Sequence, residues 1–285
     1  MHPYLAEAIS AHPSDVETGN NCVIETIILA VVQGIAEFLP ISSSGHLVIL
    51  GAMMNAAKSN APTLEIILHA GTLGSILVIF WRRILDLLTS DRRVIPLLIV
   101  GTLPAVVVGL TIKSQFGWIL KNPMLAGAML IVTGIMLIIL GKLPTRQGVY
   151  RDMSYVGAFV VGCFQAFAIL PGISRSGSTI LGGRMLGLKT DDAVTFSFLL
   201  AIPAIGGATV LTIKDLVDEL KAGHQLAYSP IELAAGAVVS FAVGIIALKW
   251  LIGWSRQERL HWFAAWCIPA GIVVLGLCFA GLVQP

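Results

Sequence analysis

Apolar residues occur along this chain in long uncharged stretches, without the apolar-polar alternation that is typical of soluble helices and strands. Five stretches contain 19 to 24 residues each, which at 1.5 Å per residue is enough to cross a hydrocarbon core about 30 Å thick. Two stretches of 16 residues become full spans when the glutamate that precedes each lies at the membrane surface. The five long stretches are 94–112, 122–141, 153–174, 193–213 and 262–285, and the two shorter ones are 66–81 and 233–248.

An internal repeat organises these stretches. At a constant shift of 132 residues, 33–51 aligns with 165–183 without a gap, with seven identities in 19 positions. In each half, an apolar segment is broken by a loop rich in proline, serine and glycine. The loop is followed by a return segment that is too short to cross the membrane, and then by three full spans. One half of the chain is therefore a copy of the other.

The break in each half has a structural consequence, because it frees backbone groups that lipid cannot satisfy. The loop must be buried in protein or line a watery cavity, so each broken segment is interpreted as a re-entrant hairpin. Three crossings then remain per half, and this odd number inverts the second half and lets the two loops meet near the membrane midplane. The prediction is an all-α, polytopic integral membrane protein with an inverted-topology repeat, six spans and two re-entrant hairpins.

The predicted boundaries follow from the repeat. Residues 1–285 form a single membrane domain. Repeat 1 is 22–141, with a hairpin at 22–54 and spans at 64–81, 94–112 and 122–141, and repeat 2 is 153–285, with a hairpin at 153–188 and spans at 193–213, 231–252 and 262–283.

Composition agrees with a membrane location. Apolar residues make up 56% of the chain and charged residues only 12%, where soluble domains carry about 25% charge. The formal net charge of +2 gives no basic field, which excludes nucleic acid as a partner.

The cations are distributed unequally between the two sides that this topology defines. Five lie on the side of the N-terminus, twelve lie on the other side, and Arg175 lies in the second loop. By the positive-inside rule the twelve-cation side is cytoplasmic, so both termini and the mouth of the first hairpin face outward. The five are Lys58, Lys113, Lys121, Lys214 and Lys221, and the twelve are Arg82, Arg83, Arg92, Arg93, Lys142, Arg146, Arg151, Arg184, Lys189, Lys249, Arg256 and Arg259.

Candidate chemistry lies at the first loop. Gln33 and Glu37 are four residues apart on one helix face, one turn before Pro40. The run Ser42-Ser43-Ser44-Gly45 then offers hydroxyls and free backbone N–H groups at a helix start, with His46 in its first turn. Such a helix start attracts anions.

The second loop, 171–179, is another hydroxyl-rich helix start, with Arg175 in its middle. An arginine at mid-membrane costs at least about 2.5 to 3.5 kcal/mol, which marks it as a functional candidate. Its planar guanidinium suits a phosphate bidentately. Two helix starts, a guanidinium, an imidazole, a hydroxyl and a carboxylate together predict a site that handles phosphoryl groups.

The two motifs resemble the signature motifs of the bacitracin-resistance family of undecaprenyl-diphosphate phosphatases. The motifs are Gln-x-x-x-Glu running into Phe-Leu-Pro-Ile-Ser-Ser-Ser-Gly-His at 33–46 and Pro-Gly-Ile-Ser-Arg-Ser-Gly-Ser-Thr at 171–179. The resemblance implies six spans, two re-entrant hairpins and hydrolysis of undecaprenyl diphosphate at the outer face of the bacterial inner membrane. That reaction recycles the lipid carrier of peptidoglycan synthesis and confers tolerance to bacitracin.

The resemblance also suggests roles for individual residues. Ser43 is the expected nucleophile, with His46 or Glu37 as its base and Arg175 as the clamp on the transferred phosphoryl group; direct attack by water is the alternative. The family depends on a divalent metal, so Glu37 and Gln33 are alternatively expected to position Mg²⁺ or Ca²⁺. The substrate-binding candidates are Ser42, Ser44, Gly45, Ser174, Ser176, Gly177 and Thr179.

Other interpretations stay open. Ser42 and Ser176 could cap half-helices instead of contacting substrate, and Glu65 and His69, four apart, suit an ion pair as well as a site role. Inverted repeats with broken helices are also typical of transporters, so the rival function is transport or flipping of a lipid phosphate or another anion. A homodimer is compatible with the sequence but is not predicted by it.

Overall fold

The computed structural model describes residues 19–53, 62–221 and 228–283. Within these ranges the chain is helical and has no β-strand, apart from one isolated bridge between Gly148 and Leu188. The α-helices are α1 (Gly19–Ala36), α2 (Ser43–Met53), α3 (Pro62–Ile79), α4 (Trp81–Leu88), α5 (Val94–Gln115), α6 (Pro123–Lys142), α7 (Tyr155–Phe167), α8 (Arg175–Met185), α9 (Thr190–Lys221), α10 (Pro230–Ser255) and α11 (Ala264–Phe279).

Several sequence predictions fall outside the described residues. They concern the N-terminal segment 1–18, residue 54 at the end of the first predicted hairpin, Lys58 and the last two residues of the chain.

Five of the described helices, α5, α6, α9, α10 and α11, are long and apolar enough to cross a membrane. A sixth candidate is the pair of α3 and α4, which meet at a 72° bend beside Phe80. The prediction of an all-helical protein that crosses the membrane several times is confirmed at this level.

The ends of α3 and α9 show how the helix bounds depart from the predicted spans. The stretch predicted to end at residue 81 stops at Ile79, and the chain turns into the separate helix α4, which carries Arg82 and Arg83. Helix α9 continues to Lys221, beyond the predicted end at 213. Charged residues exclude a segment from hydrocarbon but do not prevent it from being helical, so hydropathy cannot locate such a helix end.

Lipid-facing and protein-facing positions separate clearly. Large apolar side chains such as Val107, Val238 and Ile246 are between 64% and 70% exposed on the outer surface of the helices. Small polar side chains such as Ser75 and Ser240 are fully buried between helices. The apolar exterior is the surface expected of a bundle in contact with lipid.

Small residues bring neighbouring helices close together. A Cβ on Gly71 of α3 would lie 2.5 Å from the carbonyl oxygen of Ala237 in α10. A Cβ on Gly271 of α11 would lie 2.5 Å from the carbonyl oxygen of Gly127 in α6. Close backbone approach of this kind holds membrane helices together, since lipid provides no hydrophobic driving force between them.

The segments 37–42 and 168–174, which precede α2 and α8, meet inside this bundle. A Cβ on Gly45 would lie only 2.8 Å from the backbone N and Cα of Gly172, where φ is +94°. Thr133 of α6 donates to the carbonyl oxygen of Gly172 over 2.7 Å and accepts from the backbone N–H of Ser174 over 3.0 Å. Protein groups therefore satisfy part of the irregular backbone, as its position among apolar helices requires.

Candidate active site

A single carboxylate joins the two loops. Glu37 directly follows α1, and its side chain is 95% buried, with its N–H donating to the carbonyl oxygen of Gln33. Its Oε2 accepts hydrogen bonds from Ser43 Oγ over 2.7 Å and from Gln33 Nε2 over 3.0 Å. Its Oε1 accepts from Arg175 Nη2 over 2.7 Å. Residues from both halves of the chain therefore converge on one carboxyl group.

Arg175 is held from three directions. It is the first residue of α8, and besides its bond to Glu37 it donates from Nη1 to the carbonyl oxygen of Ser197 in α9 over 3.4 Å. The guanidinium carbon lies 5.8 Å from the ring centroid of Phe198, within the range of a cation–π contact. These contacts fix the guanidinium beside Glu37 and stabilise its charge inside the membrane.

Ser43 begins α2, and its hydroxyl donates to Glu37. The distance of 2.7 Å lies within the range expected for a nucleophile and its base. Ser42, just before it, has a φ of +71°, a left-handed conformation that costs a non-glycine residue about 1 to 3 kcal/mol. The Ser42 hydroxyl accepts from the N–H of Gly45 over 3.3 Å and so caps α2.

Both ring nitrogens of His46 contact groups other than the Ser43 hydroxyl. Its Nε2 accepts a 3.0 Å hydrogen bond from the indole Nε1 of Trp266 in α11, and its Nδ1 lies 2.7 Å from the carbonyl oxygen of Ser42. Indole N–H groups only donate, so the imidazole in this arrangement is neutral and carries its proton on Nδ1. Both ring nitrogens are occupied, and the side chain that contacts the Ser43 hydroxyl is Glu37, not His46.

His69 of α3 also belongs to the site. Its Nε2 lies 3.4 Å from Glu37 Oε2, and its Nδ1 lies 2.7 Å from the backbone carbonyl oxygen of Glu65. The sequence pattern relates His69 only to Glu65, because the two residues are four apart and share a helix face. The contact of His69 with Glu37 could not be predicted from residue spacing, because Glu37 belongs to another segment of the chain.

The hydroxyls of the second loop mostly bind other protein groups. Ser174 caps α8 by accepting from the N–H of Gly177 over 3.1 Å, and its Oγ lies 3.2 Å from that of Ser176. Thr179 donates to the carbonyl oxygen of Arg175 over 2.8 Å, and its hydroxyl lies 2.6 Å from that of Ser197. These groups hold the start of α8 and join it to α9.

A cavity of about 870 Å³ opens beside these groups. Polar side chains line one part of it, and α5 and α9 contribute apolar walls that include Val106, Leu110 and Val210. The predicted site residues Gln33, Gly45, His46, Ser176, Gly177 and Thr179 do not line this cavity. Its polar lining includes Glu37, Ser42, Ser43, Ser44, His69, Gln165, Ser174 and Arg175.

The geometry suits transfer of an anionic group to a hydroxyl. A serine hydroxyl and a guanidinium each lie within hydrogen-bond distance of one carboxylate, which can take the serine proton, and all three groups line an open cavity. Within 19–53, 62–221 and 228–283, no group of three histidine, cysteine, aspartate or glutamate side chains could hold a metal ion.

Comparison with known proteins agrees with this geometry. The family profile described as bacitracin resistance protein BacA matches residues 26–273. An undecaprenyl-diphosphatase of Rhodopirellula baltica is 68% identical over 254 residues, covering 89% of this chain and 97% of the relative. An undecaprenyl-diphosphatase of Corynebacterium glutamicum is 34% identical over 291 residues, covering 98% of this chain and 97% of the relative.

A third relative, an undecaprenyl-diphosphatase of Alkaliphilus metalliredigens, is 37% identical over 270 residues and covers 88% of this chain and 97% of its own length. The family profile extends over both loops and over all or part of every helix described above. The chain belongs to the bacitracin resistance protein BacA family.

Proposed function

We propose that this protein is an integral membrane phosphatase that hydrolyses undecaprenyl diphosphate to undecaprenyl phosphate and phosphate. The observation that carries the proposal is the Glu37 carboxylate, which accepts a hydrogen bond from the Ser43 hydroxyl on one oxygen and contacts Arg175 on the other. Family membership and relatives named undecaprenyl-diphosphatase support the same substrate. The reaction recycles the lipid carrier of the peptidoglycan subunits and underlies bacitracin resistance.

In the first step, Ser43 Oγ attacks the terminal phosphorus while its proton passes to Glu37 Oε2. The bond from that phosphorus to the bridging oxygen breaks, and undecaprenyl phosphate leaves with the electron pair. Water then attacks the phosphorus of the phosphoserine, and the bond from phosphorus to Ser43 Oγ breaks as Glu37 returns its proton to that oxygen. The protons of the water leave on the phosphate, which is released as dihydrogen phosphate, and Glu37 is again ionised. The proton transfers between Ser43 and Glu37 use a contact that is already formed, which removes the entropic cost of bringing these two groups together.

Arg175 has a role that changes during the reaction. Before attack, its guanidinium is paired with the ionised Glu37. When Glu37 takes the serine proton, that carboxyl becomes neutral and the guanidinium loses its counter-ion. The positive charge is then available for the oxygens of the transferred phosphoryl group, where stabilisation has the greatest effect on rate.

In the alternative to general-base catalysis by Glu37, the ionised carboxylate would help to hold a divalent cation jointly with the substrate. Gln33 Oε1 is buried and has no hydrogen-bond partner, and it belongs to the amide that contacts Glu37. Glu37 and Gln33 would together supply oxygen ligands, and diphosphate oxygens would complete the coordination of Mg²⁺ or Ca²⁺. The ion would neutralise charge on the phosphates and polarise the bond that breaks.

A re-entrant hairpin for α7 and α8 is supported by their length and by what lies beside their ends. Helices of 13 and 11 residues extend about 20 Å and 16 Å, less than the hydrocarbon core. The N–H of Gly148, before α7, donates to the carbonyl oxygen of Gly187, after α8, and the N–H of Lys189 donates to Gly148. The hairpin therefore begins and ends on one side.

The inverted repeat is supported by helix boundaries. Shifting α2, Ser43–Met53, by 132 residues gives 175–185, and these are the bounds of α8. The same shift carries Ser43 onto Arg175, so the two groups that contact Glu37 occupy equivalent positions in the two halves. We propose that the first hairpin enters from the side opposite to the second.

The proposed outward orientation of the active site is inferred from the unequal distribution of lysine and arginine residues between the two sides. Loops assigned to the twelve-cation side contact one another: Arg151 pairs with Asp91 over 2.7 Å, and the buried Arg184 donates to the carbonyl oxygen of Pro144 over 3.2 Å. By the positive-inside rule this end is cytoplasmic.

The orientation is tested in intact cells with a membrane-impermeant maleimide. Single cysteines are placed at Trp118 and at Thr145 in a variant without native cysteines. Labelling at 118 alone is expected, and labelling at 145 alone contradicts the orientation.

The test of the activity uses the purified protein in detergent with Mg²⁺ and undecaprenyl diphosphate. Release of one phosphate per lipid, abolished in the Ser43→Ala variant, is the expected result. Ser75→Ala is a matched control, because Ser75 is buried between α3 and α10 and does not line the cavity. Absence of phosphate release from correctly folded protein contradicts the proposal and favours the rival function, movement of a lipid phosphate or other anion across the membrane.

A further inference from the structure

One buried side chain in the cavity has no role in the reaction described above. Gln165 lies in the last turn of α7 and is only 3% exposed, yet neither its Oε1 nor its Nε2 has a hydrogen-bond partner. It lines the same cavity as Glu37, Ser43 and Arg175. An amide without partners in such a position is free to bind a ligand in the cavity.

The internal repeat explains why this amide lacks a partner. Gln165 is the equivalent of Gln33, whose Nε2 donates to Glu37 four residues later. The residue four positions after Gln165 is Ile169, which cannot accept a hydrogen bond. The second half therefore keeps the amide and replaces its carboxylate partner with an apolar side chain.

A buried amide without partners destabilises a protein, because burial removes water from two donors and one carbonyl acceptor. Its polar neighbours in the cavity include serine hydroxyls and the Arg175 guanidinium, which can donate hydrogen bonds to an anion. The ligand that best satisfies an additional N–H donor in such surroundings is a phosphate group, since its oxygens are strong acceptors.

We propose that Gln165 is a substrate-binding residue whose side-chain N–H group donates to an oxygen of the diphosphate. The inference rests on the proposed function and adds to it a residue from the second half that binds the headgroup. Gln33 orients Glu37, whereas its equivalent, Gln165, binds the substrate directly. The two halves thus use the same amide for different tasks.

The test compares Gln165→Leu and Gln165→Glu with the parent protein in detergent. Four quantities are measured for each: KM and kcat with farnesyl diphosphate, the inhibition constant of inorganic pyrophosphate, and the midpoint of thermal unfolding without ligand. Gln165→Leu is nearly isosteric and removes the unpaired amide. It should raise KM and the inhibition constant at least about tenfold, because a hydrogen bond to a charged group is lost.

The unfolding midpoint distinguishes binding from a structural role. Without ligand, Gln165→Leu should unfold at the parental temperature or about 2 to 4 °C higher, because it removes a buried polar group that has no partner. Gln165→Glu should raise KM further, since a carboxylate repels the diphosphate. The matched control is Thr26→Val, which removes the unpartnered, buried Thr26 Oγ1 away from the cavity and should leave KM unchanged.

The inference is overturned if Gln165→Leu keeps KM and the inhibition constant within about twofold of the parental values. It is also overturned if this variant unfolds several degrees lower and loses kcat without a change in either constant, since that shows a packing role. Failure of the proposed function looks different: the parent protein then releases no phosphate from farnesyl or undecaprenyl diphosphate, whatever residue occupies position 165.

Discussion

The Oε1 atom of Glu37 lies 2.7 Å from the Nη2 atom of Arg175, although the two residues are 138 positions apart in the chain. Each stands at a break in an apolar segment, and together they place opposite charges beside one cavity. Neither charge is stable alone at this depth, because an unpaired ion in a low-dielectric interior carries a large desolvation cost. The same pair stabilises the meeting of the two loops and supplies the base and the cation of the proposed reaction.

Glu37→Gln keeps the size of the side chain but removes its charge and its basicity. We expect phosphate release to fall about 10²- to 10⁴-fold, because general-base catalysis by a positioned group contributes that much. The variant should also lose about 3 kcal/mol of stability, since Arg175 then keeps a buried charge without a counter-ion. Steady-state kinetics and thermal unfolding in detergent measure the two effects. A fall in stability with unchanged kcat contradicts the assignment of Glu37 as the base.

Arg175→Lys keeps the positive charge but loses the planar guanidinium with its several N–H donors. We expect kcat to fall about 10²- to 10³-fold, the range found when one donor to a developing charge is removed. The lysine ammonium cannot reproduce the separate donors that contact Glu37 and Ser197. Comparison with Arg151→Lys, a change in a loop outside the cavity, controls for the substitution itself. If the Arg175→Lys variant keeps the parental kcat, that result contradicts the proposed role of Arg175 in stabilising the transferred phosphoryl group.

Ser42→Gly tests whether this serine shapes the turn or binds substrate. Glycine adopts the observed φ of +71° without strain and is nearly as good as serine at a helix N-cap. We expect this variant to be at least as stable as the parent and about 1 kcal/mol more stable than Ser42→Ala, with kcat/KM within about threefold of the parental value. A loss of more than about tenfold in both variants at unchanged stability instead assigns the hydroxyl to substrate binding.

Metal dependence is checked at Gln33. Removing divalent ions with a chelator should abolish phosphate release, and adding Mg²⁺ should restore it. In Gln33→Glu a second carboxylate joins Glu37, so the Mg²⁺ concentration for half-maximal activity should fall about tenfold, whereas Gln33→Leu should raise it. Full activity of the chelator-treated parent protein contradicts the proposed metal, and equal Mg²⁺ requirements in all three proteins exclude Gln33 as a ligand.

Much of the fold could be predicted from the chain because hydropathy reports directly on the surrounding lipid. The long uncharged stretches anticipated most of the helices that are long and apolar enough to cross a membrane, and the lone cation in an apolar segment drew attention to Arg175, which lines the cavity. The bend beside Phe80 was not foreseen, because it occurs where charge begins and the hydropathy signal ends. Boundaries that depend on where a helix meets water are therefore less predictable than its existence.

Contacts between distant elements could not be read from spacing. His46 looked suited to act on Ser43, its near neighbour in sequence, but it bonds instead to Trp266, which is 220 residues away. His69 contacts Glu37 only because α3 packs beside α1. Spacing locates groups that share one helix face, whereas the assignment of a base needs the positions of whole helices relative to one another.

The central claim, that Ser43 attacks the terminal phosphorus, is tested most directly by trapping the intermediate. Undecaprenyl diphosphate labelled with ³²P in its terminal phosphate is mixed with excess protein, quenched in acid within milliseconds to seconds, and digested for peptide mapping. The account predicts label bound covalently to the peptide that contains Ser43, in amounts that rise and then decay as free phosphate appears, and no label in Ser43→Ala. Phosphate release by Ser43→Ala at the parental rate would contradict it.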